Sequence, residues 1–303
     1  MPMGLKYSYT QMPKSTETAE GMKMLAGEPE NAGCVILPDA VYEVKDGREL
    51  HLRMICPRYA EEKTGAKYPL LIHIQGSAWM KQNMRDHIPE MIRFAEAGYI
   101  CAVVEYRESS IAKIPAQAED AKDAARYLAA KAEELKIDLS RVYMSGDSSG
   151  GHTCLLCWAT WQTPGLLDGG EGPLPQIRKF VDFYGPTDLR AMTEQISAME
   201  HTSDECPESL AMGCRALDPE QQERVKACSV LTYLDPNTEN APLLILHGNK
   251  DRLVPFGQSV LLYNAAKAAG KNVSFYCVDN ADHGGPSFYC RPVYETVLNF
   301  IAG

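Results

Sequence analysis

The chain has 303 residues, 45% of them hydrophobic, enough to bury a sizeable core, and no Pro/Gly/Ser-rich linker, low-complexity tract or internal repeat divides it. A formal net charge of −10 argues against nucleic acid or anionic membrane as partner, because phosphate binding draws on clustered Lys and Arg and no basic patch is present. Met1–Lys14 is polar without the apolar core of a signal peptide, no run of about eighteen apolar residues suggests a membrane span, and ten cysteines stand singly in apolar runs such as Tyr99–Val103. That usage suits a reducing compartment, so a cytoplasmic protein is expected.

Residues 1–35 show no period and read as an irregular arm or cap, leaving 36–303 as a single domain. Val41–Val44 and Glu49–Cys56 alternate and are joined through Asp46-Gly47, a type I′ hairpin signal. Tyr68–Ile74 is a near-continuous apolar strand; a helix over Ile88–Ala97 stops at Gly98, and Tyr99–Val104 is the next strand. From Ala116 to Leu135 the residues Ala121, Ala124, Ala125 and Leu128 recur at helical spacing. The strand Val142–Met144 leads into a helix after Ser148, and the lone C-x-x-C of Cys154 and Cys157 falls within it, without the second pair a zinc site needs.

Further strands are expected at Lys179–Tyr184, Pro242–Leu246 and Val273–Val278, with helices near Gln258–Ala268 and Tyr289–Ile301. Alternation of this kind predicts an α/β fold: a mostly parallel sheet opened by an antiparallel hairpin, with helices on both faces. The stretch 186–240 interrupts the rhythm and reads as a partly helical insertion over the carboxyl edge of the sheet, where such folds place ligands.

Gly146-Asp147-Ser148-Ser149-Gly150-Gly151 follows a strand and precedes a helix, the setting in which a G-x-S-x-G serine is pushed clear of the sheet as a nucleophile. A serine hydroxyl needs a base, and the base needs a carboxylate to fix its tautomer. Asp251 follows the strand ending at Leu246, and His283 follows the strand ending at Val278. The chain order Ser148, Asp251, His283 is that of the α/β-hydrolase arrangement. By position alone Asp188, Asp279 and Asp282 are alternatives for the acid, and Asp251 is favoured.

Gln75-Gly76-Ser77-Ala78-Trp79, after the third strand, offers backbone N–H groups to an oxyanion, joined by the N–H of Ser149. Trp79 is placed to line the pocket, whereas Trp158 and Trp161 read as core. Asp147 reads as a brace between loops. His73, His247 and His152 read as structural, and nothing in their context assigns a role to His51, His87 or His201.

With these pieces the chain resembles the hormone-sensitive-lipase-like branch of the α/β-hydrolases, especially its bacterial carbohydrate-esterase-like members, from about residue 40 to the end. Matching segments are the elbow with His152, Glu105-Tyr106-Arg107, Ile114–Asp120, Tyr184–Asp188, and His247-Gly248 leading to Asp251 and Val254-Pro255. The family usually carries His-Gly-Gly-Gly where this chain has Gln75-Gly76-Ser77-Ala78, so Ala78 and the Ser77 hydroxyl are expected to narrow the acyl pocket. By the same analogy Ser77 and Ala78 donate to the oxyanion and Gly76 allows the turn.

The resemblance implies a serine carboxylesterase acting on short acyl groups, acetyl above all, of sugars or other small alcohols. No metal or organic cofactor is implied, since protein groups fill every chemical role. An arylformamidase-like amidohydrolase and a peptidase of the same fold remain as alternatives, as does a binding protein that has lost its chemistry.

Overall fold

In a computed structural model, residues 6–7, 11–26, 33–58 and 66–303 are described. Met1–Glu30 and Asn31–Gly303 are separate compact units, and everything below concerns the second. The expected arm ends sooner than residue 35: Cys34–Ile36 (β1) pairs antiparallel with Ile55–Pro57. A three-residue strand without a visible alternation left no mark in the sequence.

Strands Ala40–Lys45 (β2) and Arg48–Pro57 (β3) form the expected hairpin. Asp46 and Gly47 both have positive φ, 51° and 72°, which a type I′ turn demands. Beyond β3 come Tyr68–Ile74 (β4), Ile100–Val104 (β5), Ile137–Asp147 (β6), Ile177–Phe183 (β7), Leu243–Gly248 (β8) and Val273–Val278 (β9). Among the described residues these make a sheet in the order β1-β3-β5-β4-β6-β7-β8-β9, with β2 on β3. Every pairing from β5 through β9 is parallel, and those of β3 are antiparallel.

The alternation of β4 divides the core: Leu70, Ile72 and Ile74 enter one apolar layer and Leu71 the other. Helices Ala116–Ala130 (α2), Ser148–Thr160 (α4) and Gly257–Ala268 (α8) cover the first layer, and Ile88–Glu96 (α1) and Arg291–Ala302 (α9) the second. The long helix expected to reach Leu135 breaks at Lys131 and resumes as Ala132–Leu135 (α3), closed by Lys136 in the left-handed region. Between β7 and β8 lie the short helices Leu189–Met192 (α5), Pro207–Met212 (α6) and Gln222–Ala227 (α7). From β4 the chain crosses to β5 on one side and later to β6 on the other, so a crevice opens at the carboxyl ends of β4 and β6. Among the described residues no helix is long and apolar enough to cross a membrane.

Candidate active site

Ser148 begins α4 with φ 52°, a left-handed conformation that costs a non-glycine residue about 1–2 kcal/mol and is held by its surroundings. The glycines on either side are required by contact. A Cβ on Gly146 would lie 2.2 Å from the Gly150 carbonyl, and one on Gly150 would lie 2.1 Å from the Ile74 carbonyl. Packed this closely, the elbow aims Ser148 Oγ at His283 Nε2, 2.8 Å away, and His283 Nδ1 lies 2.7 Å from Asp251 Oδ2.

Asp251 is fixed through its other oxygen, which accepts the N–H groups of Leu253 (2.8 Å) and Val254 (2.9 Å). Its Oδ2 also meets Nε2 of the fully buried His247 at 3.2 Å, and His247 Nδ1 is held by Ser259 Oγ at 2.7 Å. Burial alone would raise the Asp251 pKa, but its bonds to His247 and His283 hold it well below the usual carboxylate range. The Tyr184 ring stands edge-on to His283, centroids 4.7 Å apart.

The three other candidate acids are occupied elsewhere. Asp188 caps α5 at Ala191 N–H and accepts Ser229 Oγ, Asp279 accepts Asn249 Nδ2, and Asp282 holds Arg252 and the backbone N–H of His283.

The loop after β4 alters the expectation for the oxyanion donors. Gly76 N–H is committed to Asp147 Oδ1 at 2.8 Å, and Ser77 N–H to Ser149 Oγ at 2.9 Å. Among the described residues no hydrogen bond uses the N–H of Ala78, and that of Ser149, in the first turn of α4, has no acceptor within its helix. Ala78 and Ser149 both line the cavity at Ser148, and theirs are the N–H groups left uncommitted there, whereas those of Gly76 and Ser77 are taken. The Ser77 hydroxyl does not narrow the pocket as expected. It donates to Met80 O at 2.6 Å and meets Tyr106 Oη at 3.0 Å. Tyr106, its phenol pushed up to about 12 by burial, also meets Ser149 Oγ at 3.2 Å and stiffens the loop from behind.

A cavity of about 60 Å³ opens at Ser148, lined by Ala78, Trp79, Met199, Glu208 and His283 among others. Trp79 therefore lies where the sequence suggested, with its ring edge-on to His152 at 5.4 Å. The acidic stretch Glu205-Pro207-Glu208 reads from the sequence as a solvated face of the insertion, and the structure corrects this for Glu208, which is buried against the cavity wall. It enters from α6 with its side chain only 6% exposed, Oε2 has no hydrogen-bond partner, and His201 Nδ1 stands 3.3 Å away. A larger cleft, of about 460 Å³ beside Arg126, Trp161 and Asp168, is lined, among the described residues, by no serine, cysteine or histidine.

Asp147 braces the loop through Gly76, and two histidines crowd the same oxygen: His73 Nε2 at 3.2 Å and His87 Nε2 at 3.5 Å. Burial would raise the Asp147 pKa, yet His87, His73 and the Gly76 N–H bring it down to about 2.

Ser148 thus stands at a strand-to-helix turn, with His283 and Asp251 following two later strand ends. The sequence model of the BD-FAE family matches residues 58–266. The chain belongs to the BD-FAE family. Esterase LipQ of Mycobacterium tuberculosis is 28% identical over 242 residues, 78% of this chain and 56% of LipQ. The probable carboxylic ester hydrolase LipM of the same organism is 28% identical over 198 residues, 63% of this chain and 43% of LipM. This BD-FAE member thus spans about half the length of the curated relatives it matches.

Among solved structures, a truncated form of a carbohydrate esterase from gut microbiota superposes with a TM-score of 0.75 at 26% identity, covering 91% of this chain and 98% of that one. The propionate-bound esterase Est2 of Thermogutta terrifontis superposes with a TM-score of 0.68 at 24% identity, over 92% of this chain and 97% of its own, a likeness of fold. The BD-FAE chain has the α/β-hydrolase fold.

Proposed function

We propose that this protein is a serine carboxylesterase that removes short acyl groups, acetyl above all, from sugars or other polar alcohols. The observation that carries the reading is the unbroken line Ser148 Oγ, His283, Asp251, at 2.8 and 2.7 Å. Ser148 attacks the ester carbonyl while His283 Nε2 takes its proton, and the oxyanion accepts from the N–H groups of Ala78 and Ser149. The bond to the alcohol then breaks as His283 returns the proton to the leaving oxygen. Water, deprotonated by the same imidazole, cleaves the acyl-serine and releases the acid.

Two features favour the substrate class. The cavity of about 60 Å³ suits an acetyl group better than a long chain. Glu208 brings a buried carboxylate to its wall, with Oε2 beside His201 Nδ1 at 3.3 Å but without a hydrogen bond, where a hydroxyl next to the ester would donate to it. The segment 186–240, which contributes Pro186, Met199 and Glu208 to that wall, serves in this reading as the substrate-side cap. The names of LipQ, LipM and the gut carbohydrate esterase agree with the reaction.

The test is acetate release from acetylated xylo-oligosaccharides beside hydrolysis of p-nitrophenyl acetate, with Ser148→Ala protein as the blank. Serine-dependent release from the sugars at a rate matching or exceeding that on the aryl ester is expected. Full turnover by the Ser148→Ala protein on both would overturn the mechanism, and cleavage of the aryl ester alone would discard the sugar class.

A further inference from the structure

Behind the loop that follows β4, apart from the line through Ser148, His283 and Asp251, the residues His73, His87 and Asp147 each offer one ligand atom, and these atoms all lie within 4.8 Å of one another. His73 Nε2 is 3.2 Å and His87 Nε2 3.5 Å from Asp147 Oδ1. A tetrahedral zinc ion with nitrogen and oxygen ligands at about 2.0–2.1 Å places neighbouring ligand atoms about 3.3–3.4 Å apart, close to the two distances from Asp147 Oδ1, while the two imidazole nitrogens lie within 4.8 Å of each other.

Three further observations bear on the cluster. His73 is 1% exposed, and its Nε2 makes no hydrogen bond: the carboxylate is near, but not in line with an N–H. Each imidazole has its other nitrogen facing a hydroxyl, His73 Nδ1 at 3.0 Å from Ser145 Oγ and His87 Nδ1 at 3.4 Å from Tyr289 Oη. Metal-ligating histidines are held in this manner, and the Gly76 N–H on Asp147 Oδ1 does the same for the carboxylate. Finally, Glu90, one helical turn beyond His87, has a buried Oε2 without a partner, available to offset the charge that a dication would leave beside one carboxylate.

We propose that His73, His87 and Asp147 bind one divalent transition-metal ion of the zinc class, with a fourth position open to water. Two imidazoles and one carboxylate select zinc, cobalt or nickel over magnesium and calcium. The His87 side chain, 14% exposed, gives the ion a route from solvent. Bound there, the ion pins the loop carrying Gly76 to the elbow carrying Ser148, and its role is structural. The proposal stands independently of the esterase reading.

The experiment uses the full chain, stripped with a chelator and then equilibrated with zinc or cobalt. One zinc per chain by elemental analysis, a raised Tm, and the visible bands of a tetrahedral cobalt site without thiolate charge-transfer bands are expected. His87→Ala should weaken zinc binding at least tenfold, and Tyr289→Phe, which removes only the hydroxyl behind His87, about tenfold. Absence of bound zinc and of any Tm change in excess metal would overturn the proposal. So would thiolate bands, which would move the ion to the exposed Cys277 or Cys290, or unchanged affinity in both variants. If His87→Ala fails to fold, the cobalt spectrum and Tyr289→Phe decide.

Discussion

Asp251 grips two backbone N–H groups with one oxygen and His283 with the other, so asparagine would keep its size and lose the charge that stabilises an imidazolium. Asp251→Asn is expected to lower kcat on p-nitrophenyl acetate by about 10³–10⁴ with little change in KM. A loss below tenfold would assign the orienting role to another group. Ala78 is the second informative position. It stands at φ 55°, where the family the sequence resembles usually has glycine, and it lines the cavity. Ala78→Gly should raise kcat/KM for a butyrate ester relative to acetate about tenfold, the discrimination that one methylene commands in a pocket; an unchanged ratio would mean that Trp79 or Met199 sets acyl length. Glu208→Gln keeps the shape of that wall and removes its charge, so kcat/KM on acetylated sugars should fall at least tenfold further than on the aryl ester. Equal losses on both would make the Glu208–His201 pair a structural contact.

At the scale of elements, the strands and the elbow were readable because each carries its own signal. Tyr68–Ile74 is nearly continuously apolar since both its faces are covered, and the Asp46-Gly47 turn is set by two positive φ values that few other pairs adopt. Ser148, Asp251 and His283 could be singled out because each follows a strand end, and parallel strands bring their ends to one edge. The partners of those residues were harder to see. His87 reaches Asp147 across a loop and a helix start, Glu208 arrives from an insertion with no period, and β1 has three residues. His247 had a usable signal, since it stands four residues before Asp251 and the tight turn between them folds it back onto the carboxylate. The commitment of Gly76 and Ser77 to side chains of the elbow was invisible, because it depends on how closely β4 and α4 approach. That approach makes a prediction: Gly150→Ala would drive a Cβ into the Ile74 backbone, with no flexible side chain to yield. A destabilisation of about 3 kcal/mol or more is expected by denaturant unfolding. A stable Gly150→Ala protein with full activity would mean that β4 and α4 sit further apart.

For the whole molecule, two buried carboxylates tie folding stability to pH in opposite directions. Asp251 has a folded-state pKa below its unfolded value of about 3.9, so its contribution is complete above that value and is lost as pH falls through the folded pKa. Asp182, next to the carboxyl end of β7, runs the other way. It is fully buried, its Oδ1 accepts only the Gly185 N–H at 3.0 Å, its Oδ2 has no partner, and the nearby Asp147 carboxylate adds to the burial that raises its pKa well above the usual range. The folded chain therefore keeps a proton that the unfolded chain releases. Stability from this group is complete below about pH 3.9 and declines as pH rises toward the folded pKa. Asparagine would keep the acceptor for Gly185 and could not ionise in either state. Asp182→Asn should thus match the parent protein in Tm at pH 4 and exceed it at pH 8 by about 3 °C or more, the shift that ~1 kcal/mol produces in a chain of this size. Thermal melts at the two pH values check this, and a difference that stays constant from pH 4 to pH 8 would show that Asp182 is ionised in the folded state and stabilised by a group other than Gly185.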